Sequence, residues 1–205
     1  MNQRIQSPVF WGSYSPLSTL VGAGLIIMAS SRLAFAIFCA GALLWVYCLS
    51  PLAFFAARSI MPKKGKTIIL LFLLSLISSI YILFVFLLNP LLTLGTWFFL
   101  VLIPPVCIGS GIFEDFESFE LDESIPRVFL EALSLALLII AVSLIREPLG
   151  MGSLSFPGGP GGIVEFFTSD DGEGFFPIQI LSVSSGGLLL LGYIVALFHR
   201  YREGK

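Results

Sequence analysis

The stretch WFFLVLIPPVCIGSG, Trp97–Gly111, decides how the chain is read. It is apolar enough to lie inside a bilayer, yet Pro104-Pro105 stands just before a lone cysteine, Cys107, and a Gly-Ser-Gly. Proline removes a backbone donor, and its ring clashes with the carbonyl four residues back. Irregular backbone at membrane depth is tolerated only where protein or a cavity shelters it. The stretch therefore predicts an interrupted membrane helix that ends near a thiol. It reads either as a kinked packing helix with an inert buried cysteine or as a functional site at Cys107.

Composition supports the membrane setting. Of 205 residues, 57% are hydrophobic and only 12% charged, where soluble domains carry about 25% charged residues. The mean hydropathy is +0.98. The three cysteines, Cys39, Cys48 and Cys107, all fall in apolar runs, so no disulfide framework is implied. The first residues, MNQRIQSPVFWGSY, lack the tripartite pattern of a signal peptide, so the first apolar run is expected to remain.

Working outward from Trp97–Gly111, six runs approach the ~20 residues that a span needs. They are Pro8–Ser30 (with its helix proper over Leu17–Ser30), Leu33–Ala57, Thr67–Leu88, Leu91–Ile112, Val128–Ile145 and Phe175–Phe198. The last contains the small-residue patch Ser182–Gly187, which lets a neighbouring helix approach closely. The expected fold is an all-α polytopic membrane protein in one domain, residues 1–205. Its two halves, 1–88 and 89–205, hold three helices each. An odd number of spans per half inverts one half relative to the other. Ser7-Pro8 and Asn89-Pro90 open the first and fourth runs, and Ser15-Pro16 and Pro104-Pro105 interrupt them, as in an inverted repeat with broken helices at corresponding positions.

Charge orients the chain. The N-terminus, the loops after spans two and four, and the C-terminus collect Arg4, Arg58, Lys63, Lys64, Lys66, Arg127, Arg200, Arg202 and Lys205, leaving Arg32 and Arg146 to the other side. This bias predicts both termini in the cytoplasm of a bacterial inner membrane. Two loops stand out. Glu114–Arg127 is acidic and reads as a solvated or interfacial segment, or as a docking surface. Glu147–Gly174 is rich in Gly and Pro and reads as a flexible, re-entrant outer loop; its acidic patch Asp170–Glu173 does not match the ligand spacing of a calcium loop.

Chemistry-bearing motifs are sparse. No zinc-protease, nucleophile-elbow, phosphate-loop or dinucleotide-binding pattern is present, and the single histidine, His199, ends the last span. The chain is at most a subunit of a larger enzyme. Cys39 and Cys48, nine residues apart, point to opposite faces of a helix and cannot chelate one ion together. Cys107 is one thiol, and iron–sulfur clusters take four ligands.

Spans four and five resemble the six-helix membrane subunits of the Rnf electron-transport complex and the sodium-translocating NADH:quinone reductase (the RnfA/RnfE/NqrD/NqrE family). The resemblance rests on Leu102-Ile103-Pro104-Pro105-Val106-Cys107, then Ile108 to Gly111 and Glu114-Asp115-Phe116, and on Arg146-Glu147-Pro148-Leu149-Gly150-Met151-Gly152. It implies an electron-carrying membrane subunit of an ion-motive complex, of the RnfE/NqrD type. In that family an inverted homologous subunit shares an intramembrane [2Fe–2S] cluster, with Cys107 as one ligand. The first-half ligand should stand just before Pro16, where this chain has Ser15, a poor ligand for a soft metal. The resemblance leaves open a cluster held asymmetrically, or a divergent subunit with a structural, assembly or permease role. A small independent transporter would rely on Ser75, Ser78, Ser79, Ser182, Ser184 and Ser185.

Overall fold

The computed structural model describes residues 20–58, 65–110, 121–159, 161–166 and 178–203. The chain is a helical membrane protein. Among the described residues, four helices are long and apolar enough to cross a bilayer: α2 (Leu33–Ala57), α3 (Lys66–Leu88), α4 (Pro90–Gly109) and the Val128–Met151 part of α5 (Leu121–Met151). α1 (Leu20–Ala29) precedes them. A hairpin of β1 (Leu154–Pro157) and β2 (Ile163–Phe166) follows α5, and then α6 (Gln179–Ser182) and α7 (Ser184–Glu203).

The central helix is α2, which packs most extensively on α5 and also on α3 and α4. Its buried side alternates small and large residues: Ala34, Ala36, Cys39, Ala40 and Ala42 near one end, and Val46, Tyr47 and Phe54 toward the other. Small residues let the helix axes approach, which is how helices associate where lipid supplies no hydrophobic drive. α3 buries only Leu70, Leu74, Ser78 and Val85, a single stripe at close to helical spacing. Ile68, Phe72, Leu76, Ile80, Phe84 and Leu87 stay exposed on it, as on a peripheral lipid-facing helix. Asn89 makes the tight corner into α4. Its backbone N–H closes α3 on Val85 O, while its side chain accepts from Leu92 N–H, and Pro90 occupies the first helical position.

The interruption expected in the fourth helix is absent: α4 is continuous through Pro104-Pro105 to Gly109. One of the lost backbone bonds is made up from a neighbouring helix. Pro104 withholds the N–H that would bond Leu100 O, and the Ser78 hydroxyl of α3 donates to that carbonyl at 3.0 Å instead. Pro51 in α2 is handled similarly, since the carbonyl it leaves free, Tyr47 O, accepts from Ser50 Oγ at 2.8 Å. A proline inside a helix costs about 3 kcal/mol, and one recovered hydrogen bond offsets about 1 kcal/mol of it. The break lies in the sixth segment, where Val183 is extended (φ −82°, ψ 154°) between α6 and α7. Residues Ser15 and Pro16, where the first helix was expected to break, lie outside the described residues.

Two loop expectations also change. Residues 121–127 belong to α5 rather than to the acidic loop, of which 111–120 lie outside the described residues. In the Gly/Pro segment, 147–151 are helical and 154–166 form an antiparallel hairpin with Leu154 opposite Phe166. The hairpin is held because its side chains and turn complete helix ends. Ser155 Oγ accepts from Ala34 N–H at 3.3 Å, and Glu165 pairs with Arg32 at 2.9 Å. Gly162, at φ +81°, sits so close to Asn89 and Leu92 that a Cβ would lie 3.0 Å from Asn89 Oδ1. The acidic patch Asp170–Glu173 lies outside the described residues.

Candidate functional site

Two polar layers cross the apolar bundle. Along α5 they are marked by Glu131 and Arg146, about 22 Å apart at 1.5 Å per residue. Apolar core residues such as Leu135, Ile139, Val142, Leu43 and Val46 fill the space between.

The first layer contains Cys107. It lies in the last turn of α4, at the end of the bundle opposite the hairpin, and is fully buried. α2 contributes Tyr47 and Ser50, one helical turn apart, and both are fully buried. The Ser50 hydroxyl, which donates to Tyr47 O at 2.8 Å, is a neighbour of the Cys107 thiol. Ser110 closes α4: its N–H bonds Val106 O at 3.0 Å, and its hydroxyl bonds Cys107 O at 2.7 Å. Glu131 enters from α5, buried, and is near enough to act electrostatically on both Cys107 and Tyr47. The Tyr47 hydroxyl is close to Ser110 but makes no hydrogen bond of acceptable geometry. A thiol, three hydroxyls and a carboxylate thus meet in one enclosed place. Sequence reasoning singled out Cys107 alone. The available signals for its neighbours were Ser50-Pro51, where a serine precedes a mid-helix proline, and Glu131, an acid inside an apolar run.

The second layer contains Arg146 and Glu147. Arg146 was expected at the outer end of span five. Instead it lies inside α5, at 2% exposure, with Glu147 at 1%. Its Nε donates to Leu181 O at 2.8 Å and its Nη2 to Ser182 O at 3.0 Å, the carbonyls at the end of α6. Its Nη1 donates to Ile27 O, in the last turn of α1, and to Ser30 Oγ at 3.2 Å. Glu147 accepts from Leu33 N–H at 2.7 Å, the first residue of α2. Arg32, at the N-cap of α2, makes no side-chain cap. Helix ends leave donors and acceptors unpaired, cationic groups suit C-termini, and carboxylates suit N-termini. One Arg-Glu dipeptide here completes three helix ends. Gly187 makes room for it, because a Cβ there would lie 3.0 Å from Arg146 Nη1.

The donor set at Cys107 does not by itself suit an iron–sulfur cluster. Cys39 is on the part of α2 that neighbours Tyr81 of α3, and Cys48 is only half-buried. Among the described residues no group of three His, Cys, Asp or Glu side chains is placed to hold a metal ion. One thiol is present where a [2Fe–2S] cluster takes four ligands. Ser15, the residue at the first-half ligand position, lies outside the described residues. Comparison with protein-family models and with curated proteins finds no match for this chain.

Proposed function

We propose that the chain is an integral membrane subunit of an ion-motive electron-transport complex of the Rnf/Nqr kind. In this reading it has six spans as two inverted halves, 1–88 and 89–205, and both termini are in the cytoplasm of a bacterial inner membrane. The observation that carries the reading is where the two sequence signatures fall. Cys107 lies in one buried polar layer, and Arg146-Glu147 forms the whole core of the other. The packing of α2 on α5 and of α1 on α4 supports this arrangement. With Arg146 inside the bundle, Arg32 alone stands for the cations on the hairpin side, which sharpens the charge bias.

The partner is an inverted homologous subunit. Cys107 is this chain's contribution to a shared [2Fe–2S] cluster, and the other ligands come from other chains. Iron analysis and electron paramagnetic resonance of the purified complex, with and without Cys107→Ser, test this. Loss or alteration of the cluster signal is expected, and an unchanged signal overturns the ligand role. A second reading is a non-redox structural or assembly subunit. It is favoured by the enclosure of Cys107 among side chains of its own chain. It predicts a complex whose iron content and spectrum do not depend on this chain's thiols.

A further inference from the structure

Most of the described helix serines that donate a hydrogen bond do so within their own segment. Ser30, Ser50, Ser79, Ser110 and Ser134 each donate to a carbonyl three or four residues back in their own helix. That is the usual recourse of a hydroxyl in a helix surrounded by apolar groups. Ser78 differs. Its hydroxyl leaves α3 and bonds Leu100 O of α4 at 3.0 Å, with both residues buried.

The acceptor is the carbonyl that Pro104 deprives of its helical donor. Pro105 likewise withholds a donor from Val101, which faces outward. Two successive bonds are therefore missing from the ladder of α4, directly before the turn that carries Cys107. At Pro51 the freed carbonyl is bonded by the preceding serine of the same helix, so the missing bond is made up within α2. At Pro104 the bond crosses to another helix, so the angle of the last turn of α4 depends on α3.

We propose that Ser78 is a positioning residue for Cys107: its hydroxyl stands in for the N–H that Pro104 lacks and latches the Cys107 turn in its buried position. The latch is a property of the fold. It stands whether or not Cys107 carries a cluster, and only its consequence for electron transfer rests on the function proposed above.

The test follows the rate at which methylmercury modifies Cys107. It uses the 205-residue chain in membranes, with Cys39 and Cys48 replaced by Ala, and mass spectrometry as readout. Ser78→Ala is expected to speed modification about fivefold, the population change that loss of one hydrogen bond produces. Ser78→Thr, which keeps the hydroxyl, should label at the parent rate. Pro104→Ala returns a backbone donor to Leu100 O, so Ser78→Ala added to it should have no further effect. An unchanged rate in Ser78→Ala overturns the latch, as does an increase that persists in full with Pro104→Ala. Should Ser78→Ala fail to accumulate, recovery of the Pro104→Ala/Ser78→Ala double variant supports the latch, and failure of the double variant overturns it. None of these outcomes depends on iron, so they are separate from the cluster test.

Discussion

At the hairpin end of the bundle, the Arg146 guanidinium donates to three main-chain carbonyls and a serine, and Glu147 receives a helix N-terminus. At the other end, a thiol, three hydroxyls and a carboxylate share an enclosed space in which the Tyr47 hydroxyl is left without a hydrogen bond. The Arg146 layer closes the ends of broken and short helices and acts as a structural tie. The Cys107 layer holds the Tyr47 hydroxyl with no protein partner in an apolar bundle, as Ser143 Oγ is held one turn before Arg146, and such groups call for a bound water, an added partner or a chemical role. The comparison separates the residues that hold the fold from those that are candidates for its function. It also explains why the two sequence signatures of the resemblance behave so differently in space.

The largest effect expected is at the structural layer. Arg146→Met orphans the carbonyls of Ile27, Leu181 and Ser182 where no water reaches them, and should lower stability by about 3 kcal/mol or more. Arg146→Lys should fall between the two, since an ammonium has three donors and no planar fork. Thermal unfolding in detergent and the amount of folded protein in membranes measure both. If Arg146→Met melts like the parent, the structural half of the comparison is wrong.

A middle effect is expected at the break between α6 and α7. A Cβ on Gly186 collides with the main chain at Ile180 O, and one on Gly150 lies 2.8 Å from Ser182 N. Gly186→Ala should cost about 1–3 kcal/mol through overpacking. Gly192→Ala, in the same helix with open space around it, should be neutral or stabilising by up to about 1 kcal/mol. Equal melting temperatures for the two variants would mean that the break is not packed as described.

The smallest effect is expected in the Cys107 layer. Tyr47→Phe removes a hydroxyl that has no partner, and should leave the melting point unchanged or raised by the equivalent of about 1 kcal/mol. A clear loss of stability would show that the hydroxyl is satisfied in the protein's own membrane, and would bring the two layers closer in kind.

Much of the fold was legible because it depends on local chemistry. The spans over Leu33–Ala57 and Thr67–Leu88 follow from uninterrupted apolar runs, and Asn89-Pro90 announces the start of α4 through a cap residue and a first-turn proline. The continuity of the fourth helix is hidden from the sequence for an equally physical reason. The proline pair states that donors are missing, but nothing nearby in sequence states that Ser78, 22 residues earlier, supplies one. The hairpin is not legible in the sequence, because its glycines and prolines say only that tight turns are allowed. Its order comes from contacts with Ala34, Arg32 and Asn89 in other parts of the chain. At the candidate site, Cys107 stood out by itself, while Tyr47, Ser50 and Glu131 join it only through the packing of α2 and α5 against α4.

The sequence by itself determined that this is a helical membrane protein, where its long apolar runs lie, and that Cys107 is a chemically unusual residue within them. Apolar length and proline or glycine punctuation are local properties, so they can be read locally. Only the tertiary structure decided which helix is broken and what satisfies the broken backbone. The partners of Arg146 and Glu147 lie as far as 119 and 114 residues away. Inside a bundle that excludes water, those distant side chains are the donors and acceptors that remain.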